Sequence, residues 1–86
     1  MSKVEIYTAA TCPYCARAKK LLDMKGVSYE EHRLSFSDAD AMAKMSARAD
    51  GRRTVPQIFI DGKGIGGCDD LYALDSEGKL DGMLAA

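Results

Sequence analysis

The placement of one cysteine pair constrains this chain more than any other feature. Cys12 and Cys15 enclose Pro13-Tyr14 and fall between a β-rich run, Val4-Glu5-Ile6-Tyr7-Thr8, and a stretch with helical periodicity. Cys15, Ala18, Leu21, Leu22 and Lys25 recur at spacings of three and four, which predicts a helix from Pro13 to Lys25. Pro13 suits the first helical turn, where its missing N–H costs nothing, and Gly26 is a natural stop. Val27 to Arg33 then reads as a second strand. Strand, helix and strand within about thirty residues form a βαβ unit, which requires a parallel pair and a right-handed crossover.

A second helix is expected from Ser37, with Asp38 and Asp40 in its first turn, Met42, Met45 and Ala49 as its buried stripe, and Asp50-Gly51 at its end. Thr54-Val55-Pro56 leads into the most hydrophobic strand, Gln57-Ile58-Phe59-Ile60. Asp61-Gly62 reads as a type I′ hairpin turn and Lys63-Gly64-Ile65 as the returning strand. Gly66-Gly67 breaks the pattern before a third helix opening on Cys68-Asp69-Asp70-Leu71, and Leu80, Met83 and Leu84 suggest a last amphipathic turn. The expectation is one α/β domain over residues 1–86, a four-stranded mixed sheet flanked by three or more helices in the order βαβαββα.

Charge and hydropathy narrow the partners. The formal net charge is −1, which favours neither nucleic acid nor an anionic membrane surface. No apolar run approaches the roughly 20 residues that span a bilayer, and Glu5 stands where a signal peptide would begin its apolar core. The expected location is the cytoplasm. In that reducing compartment a C-x-x-C pair serves catalysis or a metal rather than a structural bridge.

Zinc would need a second C-x-x-C or a paired histidine set. Only Cys68 and the lone His32 are on offer, far away in sequence and at no ligand spacing, so no metal is expected and His32 reads as an ordinary residue at the end of a strand. Redox chemistry suits the pair better. Cys12 stands at the helix start, where unpaired N–H groups and the helix dipole stabilise an anion, so it is expected to be a thiolate at neutral pH. Residues 1–26 carry five bases against two acids, which supports that charge, although the same bases could simply solvate the outer helix face. Cys15, one turn further in, is expected to be shielded and to resolve what Cys12 attacks.

Cys12-Pro13-Tyr14-Cys15, then Thr54-Val55-Pro56, then Gly66-Gly67-Cys68-Asp69-Asp70 resemble, in order and spacing, the dithiol glutaredoxins, especially the short bacterial members of the glutaredoxin 3 type. The resemblance runs across nearly the whole chain and implies a thioredoxin-like fold. It implies a cis Pro56 beside Cys12, with the Val55 backbone presented to an extended glutathione. It implies a γ-glutamyl site at Gly67, Cys68 and the following helix start, with Asp69 or Asp70 for the ammonium. Arg52 or Arg53 would meet the glycine carboxylate, and Thr54 and Tyr14 would flank the ligand. Many relatives carry lysine where this chain has Ala9. The expected cost is a modest loss of thiolate stabilisation, offset by Arg52, Arg53 or Lys19. Cys68 reads either as a small helix-start residue or as a third redox thiol.

The activity the resemblance implies is reduction of protein disulfides and glutathione mixed disulfides. Glutathione is a co-substrate, and no cofactor is tightly bound. The implied partners are glutathione, disulfide-bonded or glutathionylated client proteins and ribonucleotide reductase, with the protein acting as a monomer. Two rival readings share the motif: a donor served by thioredoxin reductase, and a carrier in which Cys12 and glutathione from two protomers hold a [2Fe–2S] cluster.

Overall fold

The first strand, β1 (Val4–Ala9), has partners on both sides, which places the residues leading into Cys12 at the middle of the sheet. It pairs in parallel with β2 (Glu30–Leu34) and antiparallel with β3 (Gln57–Ile60), which in turn pairs antiparallel with β4 (Lys63–Gly66). The strand order is β2-β1-β3-β4. The helices are α1 (Pro13–Met24), α2 (Ala39–Arg48), α3 (Cys68–Ser76) and α4 (Leu80–Ala85). This computed structural model describes residues 2–85; Met1 and Ala86, the two ends of the expected domain, lie outside the described residues. The mixed four-stranded sheet of a thioredoxin-like fold is present as the sequence implied, and the last amphipathic turn is a helix of its own.

Several boundaries differ from the sequence reading. β2 begins at Glu30, not Val27, because the Val27 N–H is spent on the Leu22 carbonyl (3.4 Å) in the turn that closes α1. Val27 and Tyr29 still pack against the core, so the apolar pattern outruns the ladder of strand hydrogen bonds. α2 begins at Ala39, with Asp38 as its N-cap: the carboxylate accepts the Ala41 N–H at 3.1 Å. Ser37, the expected start, instead bonds Ser35. Asp61 and Gly62 have φ of 52° and 80°, the pair of left-handed residues that a type I′ turn demands.

The pleat sends alternate β1 residues to opposite faces. Val4 and Ile6 join Ile58 and Ile60 beneath Leu21 and Leu22 of α1, Leu71 of α3 and Leu80 and Leu84 of α4. The opposite face carries Glu5, Tyr7 and Phe59, and Met42 and Met45 of α2 are buried as expected. Arg48, in the last turn of α2, donates to both Glu5 carboxylate oxygens (3.0 and 3.2 Å) and to the Tyr7 hydroxyl (2.9 Å). Its guanidinium also lies 4.2 Å from the Phe59 ring centroid. These bonds hold the Glu5 carboxyl down at about 2, with a further contribution from His32 at 3.1 Å. Among the described residues no helix is long and apolar enough to cross a membrane.

Candidate redox site

The turn from β1 into α1 sets up the sulfur. Thr11 takes a positive φ of 57°, and Cys12, in extended conformation, becomes the N-cap of α1 with Pro13 next in line. The Cys12 carbonyl accepts the Ala16 N–H (3.1 Å), and its Sγ accepts the Cys15 N–H (3.2 Å). That second bond aims a backbone donor at the atom that would carry negative charge once reduced, as a helix start is suited to do. Cys12 and Cys15 are joined as a disulfide, their Cα atoms 5.2 Å apart. Cys15 is buried and Cys12 half-exposed, the asymmetry expected of a resolving and an attacking thiol.

Beside the pair lies a cleft of about 480 Å³. It is lined by Tyr14 from α1, Arg52, Thr54, Val55, Pro56 and Gln57 from the segment between α2 and β3 and the start of β3, and Gly67, Cys68, Asp69 and Asp70 from the start of α3. The Val55–Pro56 peptide is cis, and Cys12 Sγ lies 3.9 Å from the Val55 carbonyl oxygen. The structure thus brings every residue expected for the second substrate into one hollow except Arg53, which is exposed and does not line it. Gln57 was missed. Its buried side chain donates to Thr54 Oγ1 at 3.2 Å and so fixes the loop that forms one wall. The available signal was a polar residue directly after the proline, in a strand that otherwise reads Ile-Phe-Ile.

The far wall is an electrostatic construction. Asp70 accepts the Gly67 N–H (2.9 Å), the return half of a capping box, while Gly67 has no side chain to cap the first turn of α3. The first turn of α3 therefore has N–H groups without a side-chain cap, and residues 67–70 line the cleft, a ready seat for a carboxylate. Asp70 also reaches Arg52 across 3.5 Å. Gly66 is required here: its φ is 114°, and a Cβ would run into the Asp70 carboxylate and sit 2.9 Å from Arg52 Nη1. Cys68 is buried at the cleft floor, and burial pushes its thiol up, against a counteracting pull from Arg17. A neutral thiol is a weak nucleophile.

Ala9 is the buried last residue of β1 and contributes no charge. Two of the cations expected to compensate are already engaged, Lys19 with Glu31 (3.3 Å) and Arg52 with Asp70. His32 is not a bystander at a strand end. It sits within β2, bonded to Glu5 and 4.8 Å from the Tyr7 ring centroid. Glu5, Glu30 and His32 bring potential metal-ligand atoms within 4.8 Å of one another, but the Glu5 oxygens already serve Arg48 and His32.

Comparison with known proteins gives a consistent result. The family model described as Glutaredoxin matches residues 4–65. A probable glutaredoxin of Synechocystis is 60% identical over 98% of this chain and 76% of its own length. Glutaredoxin 3 of Escherichia coli K12 is 57% identical over 98% of this chain and 99% of its own. Among solved structures, a buckwheat glutaredoxin–glutathione complex is 41% identical, covers 98% of this chain and 77% of that one, and superposes with a TM-score of 0.86.

Proposed function

Since this chain belongs to the glutaredoxin family and is a thiol–disulfide oxidoreductase, we propose that glutathione is its reductant and that glutathione mixed disulfides and protein disulfides are its substrates. The observation that carries this reading is the convergence of the half-exposed Cys12 with a cleft that gathers Tyr14, the cis-Pro56 segment and the start of α3 with its Arg52–Asp70 pair. Glutathione is an extended peptide with a carboxylate at each end and an ammonium at one. Thr54 and Val55 offer it backbone polar groups, the α3 start suits the γ-glutamyl carboxylate, Asp69 and Asp70 suit the ammonium, and Arg52 suits the glycine carboxylate.

In this mechanism the Cys12 thiolate attacks the glutathionyl sulfur of a mixed disulfide. A Cys12–glutathione bond forms, the substrate S–S bond breaks, and the client leaves as a thiolate that takes a proton from water. A second glutathione thiolate then attacks the glutathionyl sulfur on Cys12, releasing glutathione disulfide and restoring the thiolate. Alternatively Cys15 loses its proton and attacks Cys12, expelling glutathione and leaving the intramolecular disulfide, which two glutathione molecules reduce. Client disulfides, that of ribonucleotide reductase among them, need both cysteines. The protein acts as a monomer in the cytoplasm.

The test is a glutathione-coupled hydroxyethyl disulfide assay run beside reduction by thioredoxin reductase. Turnover is expected with glutathione, and turnover with thioredoxin reductase alone would overturn the reading.

A further inference from the structure

Tyr14 lines the cleft, yet its ring is 54% exposed, so its own packing does not fix it. An exposed aromatic in the first turn of a helix has several rotamers open to it, and only some of them present a wall to the cleft. What lies over the ring is Arg17, one turn further along α1, on the same face at the i+3 position. Its guanidinium carbon is 5.8 Å from the Tyr14 ring centroid and 5.6 Å from that of Tyr72 on α3. Both distances are within cation–π range. Tyr72 is itself anchored: its hydroxyl donates to the Arg17 backbone carbonyl at 3.0 Å. Among the described residues no ion pair engages Arg17, so no carboxylate competes for it. Its charge is nonetheless felt at Cys68, on the cleft floor.

Resting on the glutathione reading above, we propose that Arg17 is a positioning residue that holds Tyr14 as a fixed wall of the cleft by standing between the Tyr14 and Tyr72 rings. The helix bearing the cysteines and the helix whose start closes the far side of the cleft pack through Leu21, Leu22 and Leu71 below, and at the surface this side chain links them. A planar guanidinium suits the role because it can face an aromatic ring on each side, whereas the ammonium of lysine is a compact point charge that cannot stack.

The experiment is a double-mutant cycle read on KM and kcat for a glutathionylated peptide with glutathione as reductant. R17A is expected to raise KM about threefold and leave kcat within about twofold, the size of one exposed cation–π contact. R17K is expected to recover only part of the loss. K20A, which removes an equally charged residue from the exposed side of α1, is expected to change neither constant. In a Y14A background R17A is expected to add nothing, because the wall it positions is gone. The Tyr14 ring resonances of the free protein should also shift in R17A and hold in K20A. An R17A penalty that persists in full beside Y14A, or an R17A protein with unchanged KM and unchanged Tyr14 resonances, overturns the proposal. Y72F keeps the ring and gives the same reading through weaker anchoring should R17A not fold. Absence of glutathione turnover in the unsubstituted protein sinks the glutathione reading instead, and the ring shifts still report on the positioning.

Discussion

On one face of the sheet Val4, Ile6, Ile58 and Ile60 meet the helices through Leu22, Leu71 and Leu80; on the other, Glu5, Tyr7 and His32 are gathered at the end of α2 by Arg48. The first arrangement depends on apolar area removed from water, which is indifferent to pH. The second depends on a carboxylate and a guanidinium that must both stay charged. The cysteine helix belongs to the apolar face, and the segment carrying Arg52, Thr54 and Val55 follows α2 on the ionic one. The cleft therefore has one wall on a helix seated by burial and another that follows a helix tied to the sheet by charge. Acid should loosen the second before the first.

Four outcomes test that contrast, in descending size. C12S should abolish turnover, while C15S should keep deglutathionylation of a small mixed disulfide; equal activities in the two variants would remove the division of roles. L22A, at a fully buried position on the apolar face, should cost about 2–5 kcal/mol in urea unfolding, by the same amount at pH 7 and pH 4. On the ionic face, the Glu5 carboxyl is held at about 2 in the folded protein against 4.5 when free. A depressed acid stabilises the fold above its unfolded value and loses that contribution as pH falls from about 4.5 toward 2. The loss should be on the order of 2–3 kcal/mol and should be absent in E5Q; an unchanged acid limb in E5Q would show that Arg48 and Glu5 matter less than their geometry suggests. Smallest, Y72F should cost about 1 kcal/mol by removing one hydrogen bond to the Arg17 carbonyl, measured by the same denaturation.

The apolar face was the legible one. Its residues announce themselves by spacing: Ala18, Leu21 and Leu22 at helical intervals, Ile58 and Ile60 at strand intervals, each a local pattern that a short window contains. The C-x-x-C was legible for a related reason, its residue types standing at a fixed short separation, whereas the segments around Pro56 and Gly67 were read through the family resemblance. The ionic face was opaque. Glu5 and Arg48 are 43 positions apart, and neither stands in a local pattern that names the other. The Arg17–Tyr72 link, 55 positions apart, was hidden in the same way. Boundaries failed where two residues compete for one job, as Ser37 and Asp38 do for the cap of α2. They also failed where core packing continues past strand pairing, as at Val27 and Tyr29.

The strand order leaves β2 and β4 as the sheet's two open margins. β2 reads Glu-Glu-His-Arg-Leu, nearly all charged or polar, and β4 is four residues long, opens with Lys63, contains two glycines and pairs through an irregular register. Charge, brevity and irregularity are the devices by which a sheet refuses an additional strand from another chain. Here both margins are built against strand addition, so an extended chain that meets this molecule finds no template on the sheet.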